Sequence, residues 1–308
     1  MGTWPLLAKW GGTFFPGHDM NEHYNRHSPK ARGDRPLIIL GCGYTGRYIK
    51  QLTLERRACA TVTSRNPIRQ LSTVPLSERL EFDLARPETW SHLACEADLI
   101  WCFPATPLAA VRQWAQMQRT RINRLVVLGS TSAYGDSNHS TEYPPPWIDE
   151  SAPIDLTKPR VQGEEYLRHE LGAIVLRAAG IYGTGRNPLE WIKNGRVRPS
   201  RTYVNLIHVE DLAAQCLAAI EKGACGEVYN VSDGRPHTWK EICITAQQRW
   251  GVTGVAAKED QSSGKRISNA KLRAELGQAL RHPDLYEALA LIESADGKQT
   301  QDGQHDFQ

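Results

Sequence analysis

The segment Leu37-Ile38-Ile39-Leu40-Gly41-Cys42-Gly43-Tyr44-Thr45-Gly46 decides how this chain is read. Four apolar residues make a run of strand length, three glycines follow at the spacing GxGxxG, and the stretch from Tyr48 to Arg57 has helical character. A glycine triplet alone arises by chance in loops; between a strand and a helix it reads as a phosphate-binding turn. Gly41 permits the tight turn, Gly43 lets backbone amides approach a diphosphate, and Gly46 lets the helix pack closely on its strand. Tyr44 and Thr45 complete the turn, and the helix start adds free N–H groups and the positive end of its dipole. The expectation is a bound dinucleotide.

Cofactor choice is read at the end of the second strand, about 20 residues on, where an acidic residue would hydrogen-bond the ribose 2′-hydroxyl of NAD. That acid is absent: the sequence is Thr61-Val62-Thr63-Ser64-Arg65-Asn66. A guanidinium beside a hydroxyl suits the 2′-phosphate of NADP, so Ser64 and Arg65 point to NADP, with NAD as second choice. A solvated surface arginine is the competing account of Arg65. Asp83, closing Leu80-Glu81-Phe82, is placed at the adenine edge, although turn chemistry alone also explains it. Phe103, at the end of the fourth strand, is counted with the cofactor-binding residues.

A chain of 308 residues can bury a substantial core. Its 40% hydrophobic and 23% charged residues exclude a disordered or membrane class. The 37 basic and 34 acidic residues are interspersed, giving +3, whereas a nucleic-acid binder gathers its cations into a stripe. No nucleic-acid partner and no membrane partner are therefore expected. Seven scattered cysteines without a CxxC pair disfavour disulfides and a zinc site, so no metal is expected, and buried thiols in a reducing cytoplasm are the plain reading.

Residues 1–35 lack periodicity and read as a disordered N-terminal extension; residues 294–308 read as a disordered tail. Met20 could serve as the true start. Between the tails, strands are expected at Leu37–Leu40, Ala60–Thr63, Leu80–Phe82, Leu99–Phe103, Leu125–Leu128, Ala173–Leu176 and Val228–Val231. Helices are expected at Pro107–Gln118, Gly163–Glu170, Val209–Glu221, Trp239–Trp250, Asn269–Leu276 and Pro283–Glu293. Alternation of this kind gives an α/β, Rossmann-type, doubly wound parallel sheet. The dinucleotide domain is expected over 36–182, completed by part of 203–232. Residues 183–293 are mainly a smaller C-terminal substrate-binding region.

The chain resembles the extended short-chain dehydrogenase/reductases, the group of NAD-dependent epimerases and dehydratases acting on nucleotide sugars. The resemblance covers roughly residues 36–290. It rests on the glycine turn, Phe82-Asp83-Leu84, Leu128-Gly129-Ser130-Thr131-Ser132-Ala133-Tyr134-Gly135, Gly180-Ile181-Tyr182-Gly183, Ile207-His208-Val209-Glu210-Asp211 and Val228-Tyr229-Asn230-Val231-Ser232-Asp233, in that order. It implies a substrate-positioning hydroxyl at Ser130, with Ser132 as the alternative, and a small-molecule substrate bearing a carbonyl or hydroxyl. A homodimer is compatible with it.

One departure stands out. The family's acid/base is a tyrosine whose phenol is poised by a lysine four residues later, and no tyrosine here has a lysine at that spacing. Aligning the helix start at Lys158-Pro159-Arg160-Val161-Gln162 puts Lys158 at the tyrosine station and Gln162 at the lysine station. The resemblance is thus to an atypical branch. Substitute proton carriers are Tyr134, Tyr182, Lys158 and His208, none preferred on sequence grounds. Two functions stay open: an NADP-dependent oxidoreductase or epimerase/dehydratase with a non-standard acid/base, and a non-catalytic NADP-binding sensor. The run Gly183-Thr184-Gly185-Arg186-Asn187 leads into Trp191, Lys193, Arg196, Arg198 and Arg201, a stretch that could hold an anionic substrate or simply face solvent.

Overall fold

The computed structural model describes residues 35–135, 142–256 and 264–305, with side chains described as far as residue 295. All but one residue of the expected N-terminal extension lie outside the described residues.

Seven strands form one parallel sheet: β1 (Leu37–Leu40), β2 (Ala60–Ser64), β3 (Arg79–Glu81), β4 (Ala97–Trp101), β5 (Ile122–Ser130), β6 (Ile174–Ala178) and β7 (Val228–Val231). Their spatial order is β7-β6-β5-β4-β1-β2-β3. The order reverses between β1 and β4, and open α/β sheets bind ligands outside the carboxyl ends of strands at such a point.

The apolar runs of β1, the middle of β5, the end of β4 and the start of β6 follow from burial on both faces. Ile39, Val62, Ile100 and Val126 point to one side, where helices α1 (Tyr44–Glu55) and α5 (Val209–Lys222) cover them. Ile38, Leu40, Leu99, Trp101, Leu125 and Val127 point to the other, packed beneath α2 (Leu108–Gln118) and α3 (Pro159–Leu171) with Trp114 and Leu167. A third cluster joins α4 (Pro188–Lys193), α6 (Trp239–Trp250) and α8 (Leu285–His305) through Leu189, Ile192, Ile242, Ala246, Leu285 and Leu289. The short helix α7 (Ala270–Leu276) sits between α6 and α8 in the chain and packs on α5.

Two small parallel pairs outside the main sheet had no periodic signal: Gly180–Tyr182 with Leu206–His208, and Trp147–Ile148 with Arg266–Ile267. The first carries residues of the site. The second lies near the outer edge of β7, where the Asn230 N–H donates to Glu150 Oε1 at 2.7 Å.

Boundaries differ from the sequence expectation for physical reasons. Helix α1 begins at Tyr44, not Tyr48, because Gly46 is a packing contact inside the helix and not a breaker. Helix α3 begins at Pro159, not Gly163, with the proline in the first turn where its missing N–H costs nothing. Helix α8 runs to His305, through the stretch expected to be a loose tail. Three thiols, Cys59, Cys95 and Cys225, are exposed, so the expectation of buried cysteines holds for only part of the set. Among the described residues no helix is long and apolar enough to cross a membrane.

Gly163 fixes how closely α3 approaches the 104–106 loop, since a Cβ there would run into the Ala105 carbonyl. Glycine-to-alanine inside a helix ordinarily gains about 1 kcal/mol. Here we expect Gly163→Ala to cost about 1–3 kcal/mol instead, the range for overpacking; urea unfolding that showed a gain would contradict the contact.

Candidate functional site

The turn after β1 is held from three sides. Gly41 adopts φ +84°, a conformation that favours glycine, and its N–H donates to Thr63 Oγ1 at 2.9 Å. The Cys42 N–H donates to the Thr63 carbonyl at 2.7 Å, tying the turn to β2. Phe103 covers Gly41 so closely that a Cβ would lie 2.7 Å from its ring, and Phe103 in turn leans on Trp101 at 4.6 Å between centroids. A Cβ on Gly46 would meet the Gly41 carbonyl at 2.8 Å. Gly43 differs: it is exposed, a Cβ there meets nothing within 4 Å, and it caps α1 without any side-chain hydrogen bond to the helix start. Two crowded glycines thus flank one that opens outward beside free N–H groups, an arrangement suited to an anion.

Tyr44 links this turn to a distant loop. Its hydroxyl donates to the Thr184 carbonyl at 3.0 Å, and the Arg186 guanidinium lies 4.4 Å from its ring centroid. Arg186 is exposed, so a cation stands at the mouth of α1. The sequence offers Arg186 only as part of the run leading into a basic stretch, because the loop's tie to Tyr44 spans 140 residues from Tyr44 to Thr184. Thr45 is buried within the helix start.

At the end of β2, Ser64 Oγ is buried with no hydrogen-bond partner among the described residues, and Arg65 is exposed without an ion-pair partner among them. Asn66 caps the single turn Pro67–Gln70. The Asp83 carboxylate accepts from the Ala85 N–H at 3.0 Å, so it is already engaged in its turn.

Further along the same sheet edge, Ser130 closes β5. Its Oγ accepts from the Ser132 N–H at 3.1 Å, capping the turn Thr131–Ala133. Lys158, from the start of α3, donates to the Ser132 carbonyl at 2.7 Å and stands 3.4 Å from Asp155. Ser130, Ser132 and Lys158 are therefore gathered, with Ser132 exposed and the lysine 40% exposed. Gln162 turns away, donating to the Leu156 carbonyl.

The tyrosines point inward. Tyr134 is fully buried; its hydroxyl donates to Asn230 Oδ1 at 2.6 Å and accepts from Arg177 at 3.2 Å. Burial raises its pKa, while Arg177 and Asn230 oppose the rise. Tyr182 is also fully buried, with a hydroxyl that has no hydrogen-bond partner among the described residues. Burial, followed by the Asp233, Asp211 and Asp284 carboxylates, holds its phenol well above the ordinary range. His208 contacts Tyr182 edge-on at 5.2 Å, and burial lowers its pKa to about 4, leaving a neutral ring at pH 7.

No family profile matches the chain. Protein YeeZ of Escherichia coli (strain K12) is 26% identical over 172 residues, 53% of this chain, and the chain spans only 60% of that protein's length. A functionally unknown conserved protein from Silicibacter pomeroyi is similar in structure, with 25% identity, a TM-score of 0.68 and coverage of 85% of this chain and 99% of that one. A short-chain dehydrogenase/reductase superfamily protein from Agrobacterium tumefaciens with bound NAD gives a TM-score of 0.72 at 13% identity, covering 88% and 100%. The UDP-N-acetylglucosamine 4-epimerase from Bacillus cereus gives 0.65 at 15%, covering 84% and 95%. The fold is that of the short-chain dehydrogenase/reductase class. The same fold is found in a protein from Methylobacillus flagellatus described as an NAD-dependent epimerase/dehydratase, with a TM-score of 0.69 at 24% identity, covering 85% of this chain and 98% of that one.

Asp233 is 8% exposed, with Oδ2 unpartnered among the described residues, and burial raises its pKa to about 7. Because the folded value lies above the unfolded one near 3.9, its contribution to stability is full below about pH 4 and is lost as pH rises through about 7. Asp233→Asn should therefore stabilise the protein at pH 8, by at most about 4 kcal/mol, and much less at pH 5. Equal changes in urea midpoint at both pH values would rule this out.

Proposed function

We propose that the chain is an NADP-dependent oxidoreductase or epimerase/dehydratase-like enzyme acting on a carbonyl- or hydroxyl-bearing substrate, with Lys158 in place of the family's tyrosine. The observation carrying this reading is the outward-open Gly43 between the crowded Gly41 and Gly46 at an uncapped helix start. A diphosphate fits there: the amides of Tyr44 and Thr45 would face it, while the Gly43 N–H is held by the Gly41 carbonyl at 2.8 Å, with Gly41 and Gly46 shaping the turn and Arg186 adding charge. The exposed Arg65 guanidinium, without an ion-pair partner among the described residues, would receive a 2′-phosphate at the end of the strand that carries the buried Ser64, which supports NADP over NAD. Phe103 would line the site, and Asp83 would border the adenine.

When bound, the nicotinamide supplies hydride transfer. The protein's own part is to position the substrate and move one proton. Ser130 and Ser132 would orient a substrate oxygen, and the Lys158 ammonium, held at the Ser132 carbonyl, would deliver a proton there, its neutral amine taking the proton back in the reverse direction. Tyr134 and Tyr182 are fully buried, which suits packing better than proton transfer. A nucleotide sugar is the substrate class favoured, supported by relatives such as the UDP-N-acetylglucosamine epimerase. A cytoplasmic, soluble protein is in keeping with the free thiols. The second reading, a dinucleotide-binding sensor, draws on that same burial of both phenols.

Calorimetric titration tests the cofactor site. Gly43→Val should abolish dinucleotide binding without lowering the melting temperature, since its side chain enters open space. Arg65→Asp should remove any preference for NADP over NAD, by tenfold or more for the roughly 1.5–3 kcal/mol of a hydrogen bond to a charged group. Normal binding in the first, or unchanged discrimination in the second, would count against the assignment.

Lys158→Met should lower kcat by about 10²–10⁴ while leaving the NADP dissociation constant unchanged. Tight NADP binding with no turnover by the parent protein on a nucleotide-sugar panel would favour the sensor.

A further inference from the structure

We propose that His208, Glu210 and His282 form a binding site for one divalent transition-metal ion of the zinc class. One ligand atom from each residue lies within 4.8 Å of the others. His282 Nε2 is 2.9 Å from Glu210 Oε2, and the two imidazole rings are 3.8 Å apart between centroids. Two imidazoles and one carboxylate select zinc, cobalt or nickel over calcium or magnesium, which prefer all-oxygen shells. Zinc–ligand bonds of about 2.0–2.2 Å put tetrahedral ligand atoms about 3.4 Å apart, so the His282–Glu210 pair at 2.9 Å would open slightly and a pair as wide as 4.8 Å would close.

The surroundings prepare such a site. His208 caps α5 through a long bond, its Nδ1 accepting from the Glu210 N–H at 3.4 Å, and a metal ion would displace that bond to use the ring's one free lone pair. Asp211 accepts from the N–H groups of both Arg281 and His282, at 2.6 and 3.0 Å, and so pins the third ligand's backbone against α5. The positive end of α5 opposes a cation, and the carboxylates of Glu210 and Asp211 in its first turn offset it. Side-chain exposure of 41% for Glu210 and 15% for His282 leaves an entry path and room for water as a fourth ligand. His208 also sits behind Gly183, where a Cβ would lie 3.4 Å from its Nε2 and 2.8 Å from the Tyr44 hydroxyl. A metal here would brace the contact between the 183–186 loop and the glycine turn. Scattered cysteines hid this possibility from the sequence, because the third ligand lies 72 residues from Glu210.

The test uses the full chain with the exposed Cys59, Cys95 and Cys225 changed to serine, stripped with EDTA and titrated with Co²⁺. We expect one ion per chain, a visible spectrum of nitrogen and oxygen ligation without thiolate charge transfer, and displacement by Zn²⁺. His282→Asn and Glu210→Gln should each weaken Co²⁺ binding at least about tenfold, since even outer-shell losses cost 10–100-fold. Both positions are partly exposed, and melting in EDTA shows that each variant is folded. Binding undiminished in both variants would place the ion elsewhere, and the absence of binding up to millimolar Co²⁺ would end the proposal. Dinucleotide titration of the same samples is a separate readout, so either idea can fail alone.

Discussion

The contact on which the nucleotide end of this molecule depends is between Gly46 and the Gly41 carbonyl. It allows α1 to start within four residues of β1 and to lie against it without a side chain between. Everything nearby follows from that closeness. Phe103 can roof Gly41, Thr63 can hold the turn by two bonds, and the first amides of α1 emerge beside an open Gly43. A larger residue at position 46 would push the helix outward and scatter all three arrangements.

The sheet imposes the second constraint. Each central strand is buried on both sides, so neighbouring residues such as Ile38 and Ile39, or Ile100 and Trp101, belong to different cores. The catalytic candidates Ser130 and Ser132 lie at and just beyond the carboxyl end of β5, the end at which open α/β sheets bind ligands. Ser130 ends β5 and Lys158 opens α3, and one hydrogen bond through Ser132 joins them.

What could be read from the sequence was local. The apolar runs located all seven strands, and the glycine spacing located the turn, because both signals are complete within ten residues. Helix starts were misplaced where a glycine or proline served packing or the first helical turn, as at Gly46 and Pro159. Partnerships across the chain left no local trace. Tyr134 finds Asn230 across 96 residues, and Lys158 reaches Ser132 across 26. The burial that separates Tyr134 and Tyr182 from the exposed Lys158 is likewise a property of the folded molecule only.

The bond from the Asn230 N–H to Glu150 has an effect on how molecules of this protein meet one another. Strand β7 ends the sheet, and its outer row of amides is the sort of template on which a foreign strand can grow. A carboxylate occupying that row offers an intruding backbone no matching pattern, and it brings a charge that burial makes expensive to cover. At this position the border is thus closed to an added strand by an acidic side chain reaching over from a neighbouring loop.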